Sequence, residues 1–166
     1  PDIPIDSIVV SEYGLDINGL LHSYKTKTIS NPEIEDAFIG HTNWNSDKAR
    51  PLIVKGSKAL LTKFESATTL RGLTATANGF YGPQGRVLRL QLEDDQLNKK
   101  MDSFNFKGVK VTNLEMETSA IFGLSLLLGH NAISLNAIIA NRANGTFSKN
   151  PRKAVENLIT YTLDRI

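Results

Sequence analysis

The 166-residue sequence contains no cysteine. That excludes disulfides, thiolate catalysis and zinc sites built on Cys. No apolar run approaches the roughly 18 residues a membrane span needs, and mean hydropathy is −0.20, so no membrane partner is expected. Charge of one sign is missing too: 19 Lys and Arg stand against 17 Asp and Glu, a formal net charge of +2. Nucleic-acid readers carry a basic stripe, whereas Lys25, Lys27, Lys99 and Lys100 form short, solvated clusters; no nucleic-acid partner is expected. His22, His41 and His130 are isolated, without metal-ligand spacing, and no metal is expected. The chain begins at Pro1 rather than Met, which raises the expectation that it is a piece of something longer. No targeting segment is visible, and a cytoplasmic setting is expected.

What is present suits a globular domain: 40% hydrophobic and 22% charged residues, in a length that buries a real core. Strands and helices alternate. Ser7–Tyr13 reads as a strand centred on Ile8, Val9 and Val10. Residues 24–50 are polar and lack periodicity, so they are read as irregular. Ser57–Glu65 reads as a helix. In Leu73–Asn78, Leu73, Ala75 and Ala77 face one way and Thr74, Thr76 and Asn78 the other, a strand pattern. Glu93–Phe104 reads as an exposed helix with an acidic start. Val109–Asn113 is a strand, Glu115–Gly129 a helix and Ile133–Ala140 a strand buried on both faces. Asn150 caps a final helix that opens on Pro151 and turns Val155, Leu158, Ile159 and Thr162 toward the core. This alternation predicts an α/β layered sheet.

Three elements carry candidate chemistry. The helix opening on Glu115-Met116-Glu117 sends apolar stripes down from Glu117 (Ile121, Leu124, Leu128) and from Met116 (Ala120, Gly123, Leu127). That pattern predicts a buried helix with a carboxylate at its mouth. Glu115 is read as complementing the helix N-terminus; Glu117 is open between that role and holding ligand hydroxyls. The loop Phe80-Tyr81-Gly82-Pro83-Gln84-Gly85-Arg86 follows a strand, where open α/β sheets bind ligands. A Gln amide and an Arg fork suit the edge of a planar amide-containing ring, and an ordinary Gly/Pro turn is the alternative. No Gly-Lys-Ser/Thr follows these glycines, so they are not a phosphate loop. The third element, Asn141-Arg142, ends the strand Ile133–Ala140.

Together these elements resemble the nucleoside phosphorylase family, and within it the uridine phosphorylase branch. The residues that carry the resemblance are Phe80-Tyr81 with Gln84 and Arg86, then Asn113-Leu114-Glu115-Met116-Glu117-Thr118-Ser119-Ala120, then Ile139-Ala140-Asn141-Arg142. The resemblance implies a three-layer α/β/α fold with a central mixed sheet, residues 1–166 forming the C-terminal portion of one domain. It implies phosphorolysis of a pyrimidine nucleoside, with inorganic phosphate as co-substrate and no other cofactor. Gln84 and Arg86 would bind the uracil edge, Arg86 also stabilising the leaving group. Phe80 would pack against base or sugar, Glu117 would hold the ribose hydroxyls, Met116 would lie beside the sugar, Glu115 would support them, and Arg142 would lie near the base. Purine-specific relatives place an Asp near Asn141 to protonate the base, which an amide cannot do.

The resemblance further implies a dimer-based homo-oligomer. The family's phosphate-binding residues lie upstream of the matched region, so these 166 residues alone are expected to be inactive. The alternatives are a purine nucleoside phosphorylase or nucleosidase, and a non-catalytic nucleoside-binding fragment.

Overall fold

β-Branched side chains at Ile8, Val9 and Val10 favour extended backbone and begin the strand around which the sheet is organised. In the computed structural model, which describes residues 2–166, this strand β1 spans Ile8–Asp16. With β2 (Leu52–Lys55), β3 (Thr69–Thr76), β4 (Asn105–Phe106), β5 (Val109–Glu115) and β6 (Leu135–Ala137) it forms a six-stranded mixed sheet. The order is β2-β1-β3-β5-β4, with β6 pairing β1. β1, β3 and β5 run parallel, and the other strands pair antiparallel. A small second sheet pairs β7 (Ala140–Asn141) with β8 (Thr146–Phe147).

Helices cover both faces. α1 (Pro32–Thr42) and α3 (Leu97–Ser103) lie on one; α2 (Lys58–Phe64), α4 (Thr118–Leu127) and α5 (Pro151–Leu163) lie on the other. β2 shows why: Ile53 joins Ile34, Phe38, Met101 and Phe104, while its neighbours Leu52 and Val54 join Leu21 and Phe122. The strand period of two sends successive residues to opposite cores. Leu73, Ala75 and Ala77 all join the Phe38 cluster, as their alternation predicts. Val10 packs with Leu61 and Phe64, backed by Tyr161. Among the described residues no helix is long and apolar enough to cross a membrane.

The opposite alternation places polar side chains inside. Ser11 and Thr74 are fully buried, and their hydroxyls lie 2.6 Å apart. Thr74 donates to Asn113 Oδ1 at 2.8 Å, and Asn136 Nδ2 donates to Ser11 Oγ at 3.0 Å. A line of hydrogen bonds thus crosses β6, β1, β3 and β5, satisfying groups whose burial is otherwise costly.

Several sequence expectations need correction. Residues 24–50 are not irregular throughout, for α1 lies within them. Pro32 takes the first turn of the helix, where its missing N–H costs nothing. Buried Glu35 accepts hydrogen bonds from Asn31 N and Ile53 N, both at 3.0 Å, and so fixes the helix start against β2. α3 begins at Leu97, not Glu93, because Asp94 folds into a turn, accepting from Gln96 N and Lys100 Nζ. The segment Ile133–Ala140 is not one strand buried on both faces: β6 and β7 divide it, and Ile139 is exposed. On α5, Val155 and Ile159 face out. Ala154 is buried, Leu158 and Thr162 are half-buried as expected, and Tyr161 donates to the Phe64 carbonyl at 2.6 Å, so the inward face runs along Ala154, Leu158, Tyr161 and Thr162.

Candidate active site

The parallel strands end in register. Asp16 pairs with Thr76, and Thr76 with Glu115. Three polar residues therefore stand in a row at the carboxyl edge of the sheet, where ligands of open α/β folds gather. Both carboxylates in the row turn to backbone amides. Asp16 Oδ1 accepts from Asn18 N and Gly19 N at 3.0 and 2.8 Å, and its Oδ2 accepts from Leu21 N at 2.9 Å. Glu115 Oε2 accepts from Glu117 N at 2.9 Å and Thr118 N at 2.8 Å. Its Oε1 accepts from Thr76 Oγ1 at 2.7 Å.

This corrects the expected helix start. Glu115 closes β5, and α4 begins at Thr118 with Glu117 as its N-cap. The carboxylate of Glu115 fills the place at the helix N-terminus that otherwise leaves amides unpaired. Glu117 is exposed, not at a buried mouth, and Met116 is half-buried. α4 is not buried all round either: Ser119, Phe122 and Gly123 face in, while Ile121, Leu126 and Leu128 are exposed.

The loop after β3 is tied to this edge. Ala77 N donates to the Glu115 carbonyl at 2.9 Å, and Asn78 N to Asn18 Oδ1 at 3.0 Å. Beyond lies a 3-10 turn, Gly82–Gln84, closed by Gly85 at φ +73°. The dihedral favours glycine, and a Cβ there, 2.2 Å from Asn98 Nδ2, would displace the Asn98 side chain. Asn98 Nδ2 in turn donates to the Gln84 carbonyl at 3.2 Å.

Gln84 is buried, at 4% exposure, and is the centre of the cluster. Arg142, which follows β7, reaches it with both ends of its fork: Nη1 donates to the Gln84 carbonyl and Nη2 to Oε1, each at 3.2 Å. Arg86 lies in the same loop. Its Nη1 donates to the Phe80 carbonyl, and its guanidinium carbon is 3.5 Å from the centre of the exposed Phe80 ring, a cation–π geometry. Partial burial, and then the nearby charge of Arg86, hold the Arg142 guanidinium below its usual pKa. Among the described residues neither Arg86 nor Arg142 forms an ion pair with a carboxylate. The result is a pair of unneutralised cations around a buried amide, an arrangement suited to a planar ligand that carries or develops negative charge.

The structure thus brings Phe80, Gln84, Arg86 and Arg142 together, and sets Glu115, Met116 and Glu117 at the end of the adjacent strand. A cavity of about 260 Å³ beside the loop is lined by Asn18, Trp44, Pro83 and Leu97, among others, but by none of Gln84, Arg86 or Arg142. Three supporting residues escape the sequence reading. Asp16 and Asn98 leave no local signal. Thr76 does leave one, since the alternation in Leu73–Asn78 turns it away from the apolar core.

The sequence matches the phosphorylase superfamily over residues 1–165. No curated protein matches it significantly. Among solved structures, a Trypanosoma brucei nucleoside phosphorylase with uridine phosphorylase activity superposes with a TM-score of 0.86 at 22% identity, covering 99% of this chain and 58% of that one. Schistosoma mansoni uridine phosphorylase in complex with thymine gives 0.58 at 22% identity, covering 99% and 57%. Toxoplasma gondii purine nucleoside phosphorylase in complex with immucillin-H gives 0.55 at 15% identity, covering 98% and 55%. At these identities the structural likeness is one of fold, and the chain spans a little over half the length of each of these relatives. The extent of the family match, together with the three-layer fold and its strand-end site, places this chain in the phosphorylase superfamily.

Proposed function

We propose that the protein cleaves uridine by phosphorolysis, giving uracil and ribose 1-phosphate. Inorganic phosphate is the co-substrate, bound by residues outside these 166, and no other cofactor is needed. The observation that carries this reading is the cluster of Arg86 and Arg142 around buried Gln84, with neither cation paired to a carboxylate among the described residues. In phosphorolysis the bond from the anomeric carbon to the base nitrogen breaks, and its electron pair leaves with the base. The sugar passes through an oxocarbenium-like state while negative charge spreads over the pyrimidine carbonyls. Two guanidiniums at that ring edge favour the charge as it develops, and so act on the transition state more than on the ground state. Gln84 orients the ring, and Phe80 covers a face of base or sugar. Glu117, exposed at the strand-end loop, takes the ribose hydroxyls beside Met116, and Glu115 holds the turn that presents them. By family resemblance the active assembly is a homo-oligomer built from dimers.

Likeness to a purine phosphorylase supports a second reading, in which the base is a purine. Asn141 disfavours it, because an amide cannot supply the proton that a departing purine takes. Chromatographic assays on protein that carries the phosphate-binding residues as well as these 166, with uridine, inosine and adenosine, each with and without phosphate, decide between them. Phosphate-dependent release of uracil is the expected result. Phosphate-independent cleavage, or preference for a purine nucleoside, overturns the proposal.

A further inference from the structure

Thr76 is fully buried at the centre of the strand-end row, and its hydroxyl bridges the end of β5 and the start of α4. It accepts a hydrogen bond from Ser119 N at 2.9 Å and donates to Glu115 Oε1 at 2.7 Å. The directions are fixed by chemistry. A backbone N–H can only donate, so the Thr76 oxygen must accept there, and its single proton is left for the carboxylate. Glu115 Oε2 meanwhile accepts from Glu117 N and Thr118 N. The amides of residues 117, 118 and 119 are therefore held by one two-residue clamp, Thr76 with Glu115. Between its arms lies the turn bearing Met116 and Glu117. Loop and helix termini of this kind otherwise fray.

We infer that Thr76 is a positioning residue for the sugar: through Glu115 it fixes the turn that presents Met116 and Glu117, while making no contact with the ligand itself. This rests on the nucleoside reading above. It separates the site into two parts with different supports. The base part, Gln84 with Arg86 and Arg142, is held by Asn98 and by its own loop. The sugar part is held by Thr76. Valine at position 76 keeps the shape but has no hydroxyl, leaving a buried Ser119 N–H unpaired and releasing one arm of the Glu115 carboxylate. Serine keeps both hydrogen bonds.

The test is calorimetric titration of the folded protein with uridine and, separately, with uracil, in wild type, Thr76→Val and Thr76→Ser. Thr76→Val should weaken uridine about tenfold or more, on the scale at which small misplacements act. It should leave uracil within about twofold, and Thr76→Ser should restore uridine binding. A merely structural role moves both ligands together or neither, so an unchanged uridine-to-uracil ratio in Thr76→Val overturns the inference. If Thr76→Val does not fold, Glu115→Gln is read by the same ratio, because the amide group cannot accept from both arms of the clamp. Failure of the wild type to bind any nucleoside would instead bring down the nucleoside reading, and this inference with it.

Discussion

Arg142 grips Gln84 at two points, main-chain carbonyl and side-chain oxygen, with both nitrogens of its fork at 3.2 Å. This sets the orientation of the Gln84 amide before any ligand arrives. A lysine carries the same charge but is a point donor and cannot bridge both oxygens. On the proposed uridine phosphorolysis, in protein that carries the phosphate-binding residues, Arg142→Lys should therefore lower kcat/KM by about ten- to a hundredfold, the value of a charge-assisted hydrogen bond. Steady-state kinetics across uridine concentration check this.

Among the described residues, the side-chain hydrogen bond and ring contact of Arg86 both stay within its own loop, at the Phe80 carbonyl and ring. Little of the fold depends on it. On the proposed phosphorolysis, in protein that carries the phosphate-binding residues, Arg86→Ala should lower kcat by about a hundred- to a thousandfold, as loss of an oxyanion-type donor does. The Tm should move by no more than about 4 °C, the scale of about 1 kcal/mol in a chain of this size. Kinetics and a thermal melt on one preparation test both halves.

Ser119 carries the one buried side-chain oxygen among the described residues that lacks a hydrogen-bond partner. Its backbone lies against Gly14, where an added Cβ would come within 2.8 Å of Ser119 Cα. α4 thus packs closely on β1 at this point. Ser119→Ala removes the orphan group without leaving a hole and should stabilise the protein by up to about 1 kcal/mol. Urea denaturation at fixed m-value measures it.

The ion pair of Asp94 with Lys100, 2.9 Å long and partly buried, holds the Asp94 carboxyl below its ordinary pKa, chiefly by the hydrogen bond from Lys100. A carboxylate with a depressed folded-state pKa adds stability above its unfolded value, near 3.8, and loses it as pH falls through the lower folded value. Lys100→Met should cost about 0.5 kcal/mol at pH 7, with the difference from wild type vanishing at strongly acidic pH. Paired denaturation curves between pH 7 and pH 2 give the comparison.

Much of this molecule is legible in local pattern. The alternation in Leu73–Asn78 assigns both faces of β3, and Asn150-Pro151 marks the start of α5, where Asn150 Oδ1 accepts from Lys153 N at 3.0 Å. Features set by distant partners are not legible. α1 is fixed by Glu35 reaching Ile53, eighteen positions on. The inward face of α5 follows from Tyr161 meeting Phe64, ninety-seven positions away. Glu115 looks like a helical residue because an acidic side chain before an apolar run suits a first helical turn; the pairing of Thr76 with Glu115 makes it a strand end instead. Residue types at the site can be named from motifs, but the union of Arg142 with Gln84 spans fifty-eight positions and leaves no periodic trace.

The hydrogen-bonded line through the sheet also has a sense of direction. Thr74 commits its only hydroxyl proton to Asn113, so the proton between Ser11 and Thr74 must belong to Ser11. Ser11 must then receive from the amide of Asn136. Every dipole points the same way, from β6 toward β5, and each bond polarises the next. No member can reverse alone, and loss of one leaves buried neighbours on both sides unmatched. Four strands are thereby committed to one lateral alignment as a unit, so substitutions along this line are expected to be tolerated in compensating sets rather than singly.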